Sequence, residues 1–148
     1  MGRRPFRLHP LISRSFKADR SAPREARHAL DELDTHIDPA LRDDIRLLVS
    51  EVVTNAVIHA GQDAAGDVEL DVWASEDVVR VVVTDRGPGF VPATPPRGGD
   101  RSGWGLMMVD RLADRWGVDL EAGTEVWFEF ARRGGASRPE HNGCAALC

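Results

Sequence analysis

Apolar residues recur along this chain with two different periods, and the switches between them divide it into elements. Between Leu41 and Ala60 they stand at Leu41, Ile45, Leu48, Val49, Val52, Val53, Ala56, Val57 and Ala60. That is the three-and-four spacing of a helix with one face on a core. Asp38-Pro39 supplies its start and Gly61 its C-cap. A shorter helix is expected from Ser21-Ala22-Pro23, with Ser21 as cap. It carries the stripe Ala26, Ala29, Leu30 and Leu33 and ends near His36. Period two follows. Val68, Leu70 and Val72 alternate with acidic residues, as in a half-buried strand. Val78 to Thr84 is a nearly unbroken valine run, as in a central strand. Ala74-Ser75-Glu76-Asp77 makes a hairpin-like turn between them. Leu106 to Trp116 reads as a helix with Leu106, Val109, Leu112 and Ala113 on one face. Val118 to Leu120 and Val126 to Phe130 read as a final strand pair joined through Gly123-Thr124. Residues 5–17 mix apolar and polar side chains as an edge strand does.

Two stretches show neither period. Residues 86–103 contain Pro92, Pro95 and Pro96 and several glycines, so they form a loop. A loop of this length inside a compact domain is usually functional. Residues 132–148 are polar and Gly-rich, and a disordered tail is expected there. That leaves residues 1–131 as one domain, long enough for a core of its own. Trp73, Trp116 and Trp127 are expected to pack in that core.

Charge and cysteine usage narrow the setting. The net charge of -5 makes direct nucleic-acid binding an unexpected role. No apolar run approaches the roughly 18 residues that span a bilayer, and the basic start MGRRPFRLHPLISRS lacks the apolar segment of a signal peptide. Neither a membrane partner nor export is expected. Cys144 and Cys148 stand too near the end of the chain to staple a core, which fits a reducing cytoplasm.

The candidate chemistry lies in three short stretches. Glu51 and Asn55 fall one helical turn apart, at the margin of the apolar stripe in LLVSEVVTNAVIHA. A carboxylate there can take a proton from an attacking hydroxyl. A neutral amide can offer its oxygen to a hard cation such as Mg²⁺. Asp85-Arg86-Gly87-Pro88-Gly89 ends the valine-rich strand, where a carboxylate can bind an exocyclic amine and glycines allow close backbone approach. Arg101-Ser102-Gly103-Trp104-Gly105 opens a helix whose unpaired amides suit phosphate. Each stretch alone is matched by a bland alternative: a solvated helix edge, an ordinary turn, a helix start after a loop. No Walker loop is present, and Met108 stands where the third glycine of a dinucleotide fingerprint belongs. The five histidines show no zinc spacing with the cysteines.

Taken together and in order, these residues resemble the ATPase family of DNA gyrase, MutL and sensor histidine kinases. Within it they resemble most the small serine/threonine kinases that act as anti-sigma factors. The resemblance runs from about residue 14 to 131. It implies the Bergerat ATP-binding fold, a two-layer α/β sandwich with helices on one face of a mixed β-sheet. It implies ATP and Mg²⁺ as cofactors, with Glu51 as catalytic base and Asn55 as magnesium ligand. Asp85 becomes the adenine-binding carboxylate, helped by Gly87 and Gly89. Arg101, Gly103, Gly105 and the amide of Leu106 become phosphate contacts beneath a lid, and Thr124 reaches adenine. The implied activity is phosphorylation of a serine on an anti-sigma-factor antagonist. The alternative is a non-catalytic, ATP-dependent switch that binds a regulatory protein such as a sigma factor. A homodimer is also implied. The chain departs from the family in Arg86, which follows the adenine aspartate, and in a short, proline-rich lid. The dimerisation helices of sensor kinases and the transducer domain of gyrase are not seen, so histidine self-phosphorylation and DNA work are not expected.

Overall fold

The computed structural model describes residues 9–33, 37–60, 66–85, 104–121 and 123–132. Strand β1 (Ile12–Lys17) leads into helix α1 (Ala22–Ala29) and a 3-10 turn, Leu30–Leu33. The long helix α2 (Pro39–Ala60) follows, then strands β2 (Asp67–Ala74) and β3 (Val78–Asp85). Helix α3 (Trp104–Leu112) and strands β4 (Arg115–Asp119) and β5 (Thr124–Ala131) complete the order. The expected Gly61 cap, the loop at 86–103 and the tail at 133–148 lie outside the described residues.

The strands form one sheet in the order β1-β2-β3-β5-β4, with β1 at an edge as expected. The two-layer α/β arrangement is borne out, but among the described residues the sheet is not mixed: each of the four strand pairings there is antiparallel. The reason is topological. β3 and β4 run in the same direction, joined through α3, and β5 returns from β4 to fill the slot between them. The one adjacent parallel pair that a crossover creates is thereby split. Gly123, at φ 111°, makes the turn into β5 in a conformation that L side chains rarely adopt.

Period two decides which face of the sheet the helices cover. Ile12, Phe16, Val68, Leu70, Val72, Val79, Val81, Val83, Val126, Phe128 and Phe130 are buried on one face. They meet Ile45, Leu48, Val49, Val52, Val53 and Ala56 of α2, and Val109 of α3. Burying each such side chain contributes roughly 1.5–3 kcal/mol of transfer free energy. α2 lies between α1 and α3 in the helix layer, in contact with both. Asp38 caps α2, its Oδ2 accepting from the Ala40 amide at 3.2 Å and from that of Leu41 at 3.4 Å. Among the described residues no helix is long and apolar enough to cross a membrane.

Some local expectations need correction. Ser21 occupies the N-cap of α1 but makes no side-chain bond to the helix backbone. Its hydroxyl lies 2.5 Å from Asp19 Oδ1 and 2.7 Å from Glu25 Oε1, so two carboxylates compete for its one proton. Asp19 also accepts from the Ser21 amide at 2.8 Å, and these bonds from Ser21 hold its carboxyl below the ordinary 3.8. Helix α3 stops at Leu112 rather than running to Trp116. The Asp114 amide donates to the Glu129 carbonyl at 2.9 Å, and Asp114 Oδ2 accepts from the Ala131 amide at 2.7 Å. These bonds peel the chain off the helix and into β4. Trp116 does pack against the core, and its indole N–H donates to Asp110 Oδ1 at 3.0 Å.

Trp73 and Trp127 do not. They stand half-buried on the opposite face of the sheet, which no helix among the described residues covers. There the Arg80 guanidinium lies 4.5 Å from the centroid of the Trp127 ring. It also donates to Glu129 Oε1 at 2.8 Å. A Cβ at Gly117, opposite Trp127 on β4, would fall 2.8 Å from the indole, so glycine is what admits the ring.

Candidate functional site

A pocket opens where α2 and the start of α3 lie over the paired ends of β3 and β5. Its walls are Val52, Asn55 and Ala56 of α2, Val83 and Asp85 of β3, Leu106 of α3, and Thr124 and Val126 of β5. It is narrow, and part of it is open to solvent. Each wall follows from a local rule. Val52, Asn55 and Ala56 share a side of the helix through their i, i+3 and i+4 spacing. Asp85 pairs directly with Thr124, and Val83 with Val126, so the floor is two successive register pairs pointing the same way.

The polar groups in this apolar setting are few and buried. Asn55, Asp85 and Thr124 are each less than a tenth exposed. The Oγ1 atom of Thr124 is buried with no hydrogen-bond partner. Leaving a buried hydroxyl unsatisfied costs roughly 1–3 kcal/mol, so such an atom calls for a partner supplied from outside the fold. An apolar slot with a carboxylate, an amide and an orphan hydroxyl on its walls matches a flat, mainly apolar ring with polar edges.

The structure thus brings together Asn55, Asp85, Leu106 and Thr124, which stand far apart in sequence. Glu51 is half-buried one turn before Asn55 and lies outside the pocket lining. Gly105 sits in the first turn of α3. Gly87, Gly89, Arg101 and Gly103 lie outside the described residues. Sequence reasoning assigned Val52, Ala56, Val83 and Val126 to the core alone. Their signal was available: Val52 stands three positions before Asn55 and four before Ala56, and Val83 and Val126 each stand two positions from Asp85 and Thr124, on the same helix side or strand face. Among the described residues no three His, Cys, Asp or Glu side chains converge as a metal site.

Residues 16–130 match the model of the histidine kinase-like ATPase domain. The chain belongs to that family. Among relatives of this histidine kinase-like ATPase domain, an anti-sigma F factor of Pasteuria penetrans is 33% identical over 125 residues, covering 76% of this chain and 83% of that one. The serine-protein kinase RsbW of Bacillus subtilis is 33% identical over 97 residues. That match covers 57% of this chain and 61% of the kinase's length. In structure, the domain is similar to the histidine kinase domain of the blue-light activated histidine kinase from Erythrobacter litoralis EL346, with a TM-score of 0.50 and 34% identity. The overlap covers 62% of this chain and 44% of that one.

Proposed function

We propose that this protein is an ATP-dependent serine/threonine kinase of the anti-sigma factor type, transferring the terminal phosphoryl group of ATP to a serine on an anti-sigma-factor antagonist. The observation that carries this reading is the buried, unpartnered Thr124 hydroxyl beside Asp85 in an apolar slot roofed by Asn55. The similarity to an anti-sigma F factor and to a serine-protein kinase supports it.

In this reading adenine occupies the slot. Asp85 accepts from its exocyclic amine, Thr124 meets its polar edge, and Val83, Val126 and Ala56 pack on the ring. Gly87 and Gly89 allow the backbone to approach the base. Arg101, Gly103, Gly105 and the Leu106 amide hold the phosphates, where the first amides of α3 lack helical partners. Asn55 would hold Mg²⁺ through its side-chain oxygen, since this cation keeps several waters and takes few protein ligands alongside substrate phosphates. When bound, Mg²⁺ neutralises charge on those phosphates.

Glu51 acts as the base. Its carboxylate takes the serine proton as the serine oxygen bonds to phosphorus and the bond to the departing ADP oxygen breaks. A half-exposed position beside the slot rather than in it suits a group that must meet a hydroxyl arriving on another protein. A sigma factor is the second partner, a homodimer the working form and the cytoplasm the setting.

The test is transfer of labelled phosphate from ATP to a purified antagonist. Glu51→Gln should abolish phosphoserine formation and leave ATP affinity intact. Wild-type protein that binds ATP yet forms no phosphoserine would reject the kinase reading. In that case, partner control that survives Glu51→Gln would identify a nucleotide-gated switch instead.

A further inference from the structure

The slot between α2 and the sheet has the chemistry of a base pocket without its width. The space between its walls admits about one water molecule. An aromatic ring needs room for carbon contacts of roughly 3.5–4.0 Å on each face. One wall must therefore withdraw before adenine enters. The walls are not held equally. β3 and β5 are paired along their whole length. α2 is packed between α1, α3 and the sheet, with Leu48, Val49 and Val53 fully buried. α3 is a nine-residue helix whose main neighbours are α2 and β4. Among its described side chains only Val109 is fully buried, while Leu106, Met108 and Leu112 are partly so.

The C-terminal end of α3 is tied to the sheet. The Asp114 amide donates to the Glu129 carbonyl, the Asp114 carboxylate accepts from the Ala131 amide, and Asp110 accepts from the Trp116 indole. Leu106, on the pocket wall, lies about 9 Å along the helix axis from Leu112 at 1.5 Å per residue. A tilt of about 20° on the tied end moves Leu106 by about 3 Å, close to the thickness of a ring.

We propose that α3 is the moving wall of this pocket. It tilts on its tied end, Leu106 leaves the slot, and only the tilted form takes nucleotide. The inference rests on the ATP reading and adds how entry is controlled. A ligand that binds one of two forms draws the protein toward it, and its apparent affinity is reduced by the fraction in that form. Loosening α3 from α2 then speeds capture. A leucine that only packed on the bound base would act through release instead.

The test is rapid mixing of the full-length protein with Mg²⁺ and ATP carrying a fluorescent label on its ribose. Leu106→Ala trims the side chain in the slot. Val109→Ala loosens the same helix from a position outside the pocket lining. Each should raise the association rate constant about tenfold, with Leu106→Val, the milder truncation, falling between Leu106→Ala and the wild type. An association rate that Val109→Ala leaves unchanged overturns the inference, because the helix then need not move. So does a Leu106→Ala effect confined to dissociation. A second readout uses the wild type without nucleotide. The amides of Val109 to Leu112 should exchange hydrogen faster than those of Leu48 to Val53, and equal protection overturns the inference. Saturable binding with unmoved association rates sinks the moving wall and leaves the ATP reading standing. No saturable binding by the wild type or by any variant sinks the ATP reading, and the inference with it.

Discussion

Replacing Thr124 by valine separates what the fold needs from what the ligand needs. The substitution keeps the side-chain shape and deletes a hydroxyl that is buried without a partner, in a residue only 3% exposed. In the ligand-free protein that hydroxyl carries a desolvation cost of roughly 1–3 kcal/mol with nothing to offset it. Thr124→Val should therefore stabilise the free protein by about 1 kcal/mol or more, raising its Tm by about 3 °C. With nucleotide bound, the same hydroxyl makes one hydrogen bond worth about 0.5–1.5 kcal/mol, so ATP affinity should fall by about two- to tenfold. Calorimetry with and without ATP reads both numbers from one variant. Opposite signs, a firmer free protein and a weaker complex, are the signature of a binding residue. A destabilised free protein would show that the hydroxyl already has a partner within the fold. Unchanged ATP affinity would show that it does not face the ligand. Either result refutes the reasoning.

Other consequences can be tested alongside. Asp85→Asn presents an amide in place of a pure acceptor and should cut ATP affinity by about 10- to 100-fold, the range of a hydrogen bond to a charged group, as measured by isothermal titration. Gly117→Ala places a methyl group 2.8 Å from the Trp127 ring and should displace it from Arg80. A loss of about 1–3 kcal/mol in urea unfolding, with a changed tryptophan emission spectrum, is expected. Asp19 titrates below the ordinary 3.8 because of its hydrogen bonds from Ser21. Its contribution is complete above 3.8 and fades as pH falls through the lowered folded value. Asp19→Asn should thus flatten the acid limb of stability against pH, and an unchanged limb would remove Asp19 from the account.

Much of this architecture was legible because the rules that govern it act over short distances. The three-and-four spacing in α2 marked its buried side, and the same spacing carried Asn55 to the pocket. Period two sorted β2 into faces. It could not say how a half-apolar second face would be used, so Trp73 and Trp127 were assigned to the core. Arg80, which satisfies the Trp127 face and the Glu129 carboxylate, comes from another strand, and that register is set by β5 entering between β3 and β4. The same insertion creates the pocket floor. Asp85 and Thr124 could each be singled out as candidates, but their pairing, and the apolar pair Val83 and Val126 beside them, depend on strand order. The end of α3 escaped for a similar reason. Leu106 to Trp116 keeps a helical pattern, and the bonds that stop it at Leu112 come from Glu129 and Ala131.

The placement of β5 also has a consequence for how the chain matures. The valine-rich strand β3 has one flank covered early by β2, but its other flank is closed by residues 124–131, synthesised some forty positions later. Until those residues leave the ribosome, the nascent polypeptide carries an open, strongly apolar strand edge, the kind that recruits other chains into aggregates. The pocket between α2 and the sheet does not exist before that moment, because half of its floor belongs to the latecomer. Nucleotide can therefore report completion of the sheet: a chain able to hold it has already closed its most adhesive edge.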